Sequence, residues 1–138
     1  MNRKMLLGDP PPIHITGQDF GRLDVLLANL SAKITTPTLE YLRNELDRAR
    51  LVDDADGATS FVQIGSRVLF RDEQGKTYRL TLALPGSGDD PGHISILTPV
   101  GAALLGLSEG QSIAYETRDN RIKTITVLEI SKNPPQTG

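Results

Sequence analysis

The sequence predicts an α+β fold in which a short N-terminal antiparallel helical hairpin precedes an antiparallel sheet carrying one short helix. Three observations lead there. Apolar residues recur at spacings of three and four between Phe20 and Ala49, the rhythm of an amphipathic helix. From Phe61 onward the apolar period is two, the rhythm of a half-buried strand. A helix-start signal, Thr98-Pro99, then interrupts the strands once.

The first helix begins at Thr16, an N-cap residue with Asp19 three positions on, a variant of the capping box in which Asp replaces the usual Glu or Gln. Its stripe is Phe20, Leu23, Leu27 and Leu30, widened by Leu26. Residues 31–36 interrupt the pattern, and Thr36-Pro37 repeats the cap, with proline at the first helical position where its missing N–H costs nothing. The second stripe is Leu39, Leu42, Leu46 and Ala49. Two matching stripes joined by a short polar connection most simply bury one another as an antiparallel hairpin. Each helix is about 20 Å long at 1.5 Å per residue.

The acidic run Asp53-Asp54-Ala55-Asp56-Gly57 closes the helical part. Residues 67–71 alternate as a strand, Asp72-Glu73-Gln74-Gly75 turns the chain, and residues 76–83 alternate again with Tyr78, Leu80 and Leu82 on one face. Residues 84–92 (LPGSGDDPG) read as a loop on composition. A short strand at 93–97 leads into the helix of residues 100–105, stopped by Gly106. The last two strands, 112–117 and 121–130, flank the turn Arg118-Asp119-Asn120. The expected organisation is a flexible lead (1–16), the hairpin as a short coiled coil (17–52), an acidic linker (53–60), the sheet domain (61–131) and a disordered tail (132–138).

With 138 residues the chain is one domain's worth, able to bury roughly 68% of its unfolded surface without covalent staples. It has no cysteine, which removes disulfides, thiolate metal sites and cysteine nucleophiles. Net charge is −2, divided as +1 up to Val52 and −3 beyond it, so little direct DNA affinity is expected. The opening MNRKMLLGDPPP has too few apolar residues before its prolines for a signal peptide. No run approaches a membrane span. A cytoplasmic monomer with no membrane association is expected.

Side-chain chemistry is sparse. His14 and His93, the only histidines, show no metal-ligand spacing and no nucleophile signature, so His93 reads as a strand-end residue. The glycines of residues 84–92 lack a following Lys-Ser/Thr, and Asp89-Asp90 would repel phosphate. Asp53, Asp54 and Asp56 lack the downstream glutamate of a calcium loop and read as a solvated linker. The mixed charges Arg43, Arg48, Arg50, Glu40, Glu45 and Asp47 suit a solvated helix face. No catalytic residue, cofactor or metal is expected.

The run TPVGAALLGLSEGQSI, preceded by HISIL and followed by TITVLEI, resembles the C-terminal domain of the bacterial Gre transcription elongation factors. Together with Leu42 to Ala49 and Gly65-Ser66-Arg67-Val68, it looks most like the subgroup called regulator of nucleoside diphosphate kinase. The resemblance implies that the sheet domain has the FK506-binding-protein fold and that the partner is RNA polymerase, bound at its secondary channel. In Gre factors an Asp-Ser-Pro turn docks at the channel rim, and the matching positions are Leu97, Thr98 and Pro99. The proline is kept and the acidic residue is not.

Gre factors also carry acidic residues at the tip of a long coiled coil, where they help hold a catalytic magnesium. Here the hairpin is short and residues 31–38 contain no carboxylate, whereas hard divalent cations need oxygen anions. The resemblance thus implies a non-enzymatic regulator that docks on RNA polymerase without stimulating transcript cleavage. Two alternatives stand beside it. One is a peptidyl-prolyl isomerase on the shared fold, which three Phe, three Tyr and no Trp equip poorly with pocket material. The other is direct regulation of nucleoside diphosphate kinase.

Overall fold

The computed structural model describes residues 13–34, 36–52, 61–86 and 91–132. Most of the expected lead, the acidic linker, the tip of the 84–92 loop and the tail beyond Lys132 lie outside these residues. The fold is α+β with a mixed sheet. In chain order its elements are β1 (His14–Thr16), α1 (Gly17–Ser31), α2 (Pro37–Arg48), β2 (Arg50–Val52), β3 (Ser66–Asp72), β4 (Thr77–Ala83), β5 (His93–Ser95), α3 (Pro99–Leu104), β6 (Ser112–Glu116) and β7 (Ile122–Lys132).

Three threonines cap the three helices in the same way. Thr16, Thr36 and Thr98 each hold an extended backbone and accept the N–H of the residue three positions on, which satisfies one of the orphan donors of a first turn. The helical stripes bury Leu23 and Leu27 of α1 and Leu39, Leu42 and Leu46 of α2, with Phe20, Leu26, Leu30 and Ala49 packed at their margins. Arg43 Nη1 of α2 donates to Asp24 Oδ1 of α1 at 2.8 Å. The short connection at one end and the β1–β2 pair at the other set the start of α1 beside the exit of α2, so the two helices run antiparallel. At 15 and 12 residues they are about 22 and 18 Å long.

Residues 13–16 depart from the expected flexible lead. Ile13 and Ile15 are buried and β1 pairs in parallel with β2, His14 beside Arg50 and Thr16 beside Val52. The physical reason is burial: two isoleucines flanking one histidine gain more from the core than from solvent. The resulting ladder clamps the start of α1 to the exit of α2.

The five-stranded sheet has the order β5-β4-β3-β7-β6. Its β3–β4, β3–β7 and β6–β7 pairs are antiparallel, as expected. The β4–β5 pair is parallel, correcting the expectation of a wholly antiparallel sheet. The chain that leaves β4 thus returns to lay β5 beside it in the same direction. The strand after them is also shorter than expected, ending at Ser95 and leaving Leu97 in the turn that follows. Val68, Phe70, Leu82, Ile113, Ile125 and Val127 line the inner face of the sheet and join the helical leucines in one core.

A backbone seam ties the two parts. His14 N–H donates to the Gly106 carbonyl at 3.2 Å, Gly106 N–H to Val62 at 2.9 Å, and Val62 N–H to Leu107 at 2.8 Å. Gly106 ends α3 as expected, with φ +81, and a Cβ there would stand 2.6 Å from Ile13 Cβ. Positive φ and close approach both exclude a side chain.

Candidate functional site

The corner formed by Leu97, Thr98 and Pro99 lies between β5, at one edge of the sheet, and α3. It begins with a backbone bond from Ile96 N–H to the Ala83 carbonyl at 2.8 Å, which carries the parallel β4–β5 pairing one residue past β5. Ser95 then organises the turn. Its hydroxyl accepts Leu97 N–H at 3.1 Å, while its carbonyl accepts Thr98 N–H at 3.1 Å and the Thr98 hydroxyl at 2.7 Å. Thr98 Oγ1 in turn accepts Gly101 N–H at 3.0 Å.

One hydroxyl thus bridges the last residue of a strand and the first turn of a helix, donating to one and accepting from the other. Pro99 occupies the first helical position, where its ring presets φ. Leu97, Thr98 and Pro99 are all half-buried, and Leu97 and Val100 pack against the core rim. The structure brings the three expected residues together on one rigid corner. Their remaining surface faces outward beside the sheet edge.

Sequence reasoning missed two residues that build this corner, Ser95 and Gly101. A Cβ on Gly101 would lie 2.0 Å from the Ser95 carbonyl oxygen, so only glycine lets α3 approach β5 this closely. The available signal was a poor helix former inside the helical run PVGAAL.

At the far end of the hairpin, Lys33 and Ile34 follow α1, and Ile34 is 54% exposed. Asp24, the acidic residue nearer the middle of α1, is held by Arg43. Among the described residues no group of three or more His, Asp or Glu converges in a geometry that could hold a metal ion. His93 opens β5, with Nδ1 3.1 Å from the Pro91 carbonyl, and His14 packs its ring 5.7 Å from that of Phe61.

Glu45 is the buried acid of α2, 5% exposed, with Oε2 2.6 Å from Arg48 Nη2. Burial raises its pKa, and Arg48 opposes the shift without cancelling it. One turn earlier, burial and then the Glu45 carboxylate push the Tyr41 hydroxyl far above its ordinary value. All three residues lie on α2, with Glu45 buried, Tyr41 half-buried and Arg48 reaching into solvent.

Residues 57–132 match the family model "Transcription elongation factor, GreA/GreB, C-term", and residues 11–52 match "Rnk N-terminus". The chain is 35% identical over 130 residues to the regulator of nucleoside diphosphate kinase of Escherichia coli K12, covering 93% of this chain and 95% of that one. It is 36% identical over 95 residues to the transcription elongation factor GreA of Roseiflexus castenholzii, covering 67% of this chain and 59% of that protein. The solved structure of a prokaryotic GreA/GreB elongation factor from Nitrosomonas europaea superposes with a TM-score of 0.70 at 36% identity, covering 86% of this chain and 98% of that one. Over both its helical and its sheet part, therefore, the chain belongs to the GreA/GreB family, in its regulator of nucleoside diphosphate kinase subgroup.

Proposed function

We propose that this protein is a transcription regulator that binds RNA polymerase at the secondary channel, docks through the Leu97–Thr98–Pro99 corner and does not stimulate transcript cleavage. On this reading residues 61–131 are a domain of the FK506-binding-protein type, residues 17–52 are the hairpin inserted toward the channel, and the protein acts as a cytoplasmic monomer with no catalytic residues of its own.

The observation that carries the reading is the chemistry of the hairpin end. Residues 31–38 bring no carboxylate, the exposed end presents Lys33 and Ile34, and Asp24 is neutralised by Arg43 at 2.8 Å. A magnesium ion needs anionic oxygen ligands. Such an end occupies a channel without contributing to metal-assisted hydrolysis.

The preorganised corner supports docking, since a loop already held in one conformation by four hydrogen bonds loses little entropy when a partner covers it. Against the isomerase reading stands the use of the aromatic residues: Phe61, Phe70 and Tyr115 are all packed into the interior. The name of the Escherichia coli relative favours a second reading, control of nucleoside diphosphate kinase, either by direct contact or through transcription.

The test is a competition between this protein and a cleavage-competent Gre factor for core RNA polymerase, paired with a cleavage assay on backtracked complexes. Displacement of the Gre factor with no acceleration of cleavage is expected. Failure to compete, or faster cleavage, overturns the reading. A pull-down with purified nucleoside diphosphate kinase separates direct from indirect control.

A further inference from the structure

The five-stranded sheet has two unlike faces. The inner one packs on the helices; the outer one carries Arg67, Leu69 and Arg71 from β3 and Thr77 and Arg79 from β4. Register places Leu69 directly opposite Arg79, with Arg67 opposite Thr81 and Arg71 opposite Thr77. Three arginines therefore surround one leucine. Arg67 and Arg71 stand two residues away along the strand, about 7 Å on either side, and Arg79 stands across from it, about 5 Å between Cβ atoms.

All three arginines are exposed, and no ion pair of the described residues uses them. From the β7 side a single carboxylate, Glu129, pairs with Leu69. Three guanidiniums against one carboxylate is a local positive excess in a chain whose net charge is −2. The register sets the arginines diagonally and never directly opposite one another, so their repulsion costs the fold little and the positive excess stays open to a partner.

We propose that this face docks an acidic polypeptide segment, one whose carboxylates recur every second residue around an apolar side chain that covers Leu69. Guanidinium forks suit carboxylates in bidentate geometry, and the two-residue spacing along β3 repeats that of an extended peptide. A single-stranded nucleic acid is the weaker occupant. Its bases need aromatic platforms, and Phe70, Tyr78 and Tyr115 all belong to the opposite face, where Phe70 and Tyr78 stack on each other with ring centroids 5.3 Å apart. The proposal does not rest on docking at the Thr98 corner, and either can fail alone.

Fluorescence anisotropy of a labelled short peptide alternating glutamate with leucine and threonine, added to the full chain at low ionic strength, tests it. Relative to the unaltered protein, R71Q/R79Q should weaken binding about fivefold to tenfold, within the span that two exposed ion pairs allow. Leu69→Gln should also weaken it, with no change in charge. The control R118Q/K123Q, which removes two exposed cations near the β6–β7 turn, should leave affinity unchanged. Melting temperatures of the same samples show that each variant folds, and amide chemical shifts on adding the peptide to the unaltered protein should concentrate in residues 67–71 and 77–81. Equal losses in the control variant, equal affinity for the glutamine analogue of the peptide, tighter binding of an oligothymidylate, or shifts elsewhere would each overturn the proposal.

Discussion

Asp19 Oδ2, in the first turn of α1, accepts the backbone N–H of Ile64 at 3.0 Å across forty-five residues. The carboxylate stands where a capping box would place its acid, and it reaches into the segment that feeds β3. It is 4% exposed, with Arg22 Nη1 3.9 Å away. One side chain therefore serves helix α1 and the sheet at once.

Replacing Asp19 by Ala leaves the Ile64 N–H without this acceptor and removes a favourable charge from the helix N-terminus. The expected loss is about 2 kcal/mol of unfolding free energy, measured by urea denaturation. Asp19→Asn, which keeps an acceptor oxygen, should lose less.

Two glycines should respond in opposite directions. Gly21 lies in α1 with nothing within 4 Å of an added Cβ, so Gly21→Ala should stabilise by about 0.5–1 kcal/mol through helix propensity. Gly101→Ala forces a Cβ against the Ser95 carbonyl and should destabilise by about 3 kcal/mol. It should also disturb the Thr98 corner. Thermal melts of both variants decide the matter, and equal shifts would contradict the close approach of α3 to β5.

Glu45 gives stability a pH dependence of unusual sign for a carboxylate. Because burial raises its folded pKa above the unfolded value, the folded state binds more protons between the two values, and stability falls as pH rises through that interval. Glu45→Gln removes this slope. The variant should be more stable than the parent near neutral pH and indistinguishable from it in acid, where the parent carboxyl is protonated in both states. Denaturation curves recorded across pH check that the two stabilities converge in acid and separate as pH rises.

Pro99 should anchor the corner in any complex with RNA polymerase. Pro99→Ala relaxes φ at the first helical position, so melting temperature must be measured beside affinity. Lost polymerase binding at unchanged melting temperature supports docking through this corner. Unchanged affinity would leave Thr98 and Pro99 as a helix start alone.

The helices were legible because their signals are local: Thr16, Thr36 and Thr98 cap within three residues, and the leucine stripes repeat within one helix. The β1–β2 pair was not, since His-Ile-Thr and Arg-Leu-Val are too short to show alternation and find each other across an intervening hairpin. The parallel direction of β5 was hidden for a related reason, as a three-residue strand after a glycine-rich loop carries no mark of which way it runs. At the candidate site Thr98 and Pro99 announced a helix start, but Ser95, which supplies its acceptors, is an ordinary serine in sequence and gains its role from the turn around it.

The β1–β2 ladder and the Gly106 seam fix only the base of the hairpin; its length is set elsewhere. Whole helical turns could be added or removed symmetrically beyond Ser31 and before Pro37 without touching His14, Arg50 or Gly106. The reach of the hairpin is thus a quantity that can vary in a lineage independently of the surface that seats it, like a probe exchanged on a fixed mount. In this chain that reach is two short helices, of 15 and 12 residues.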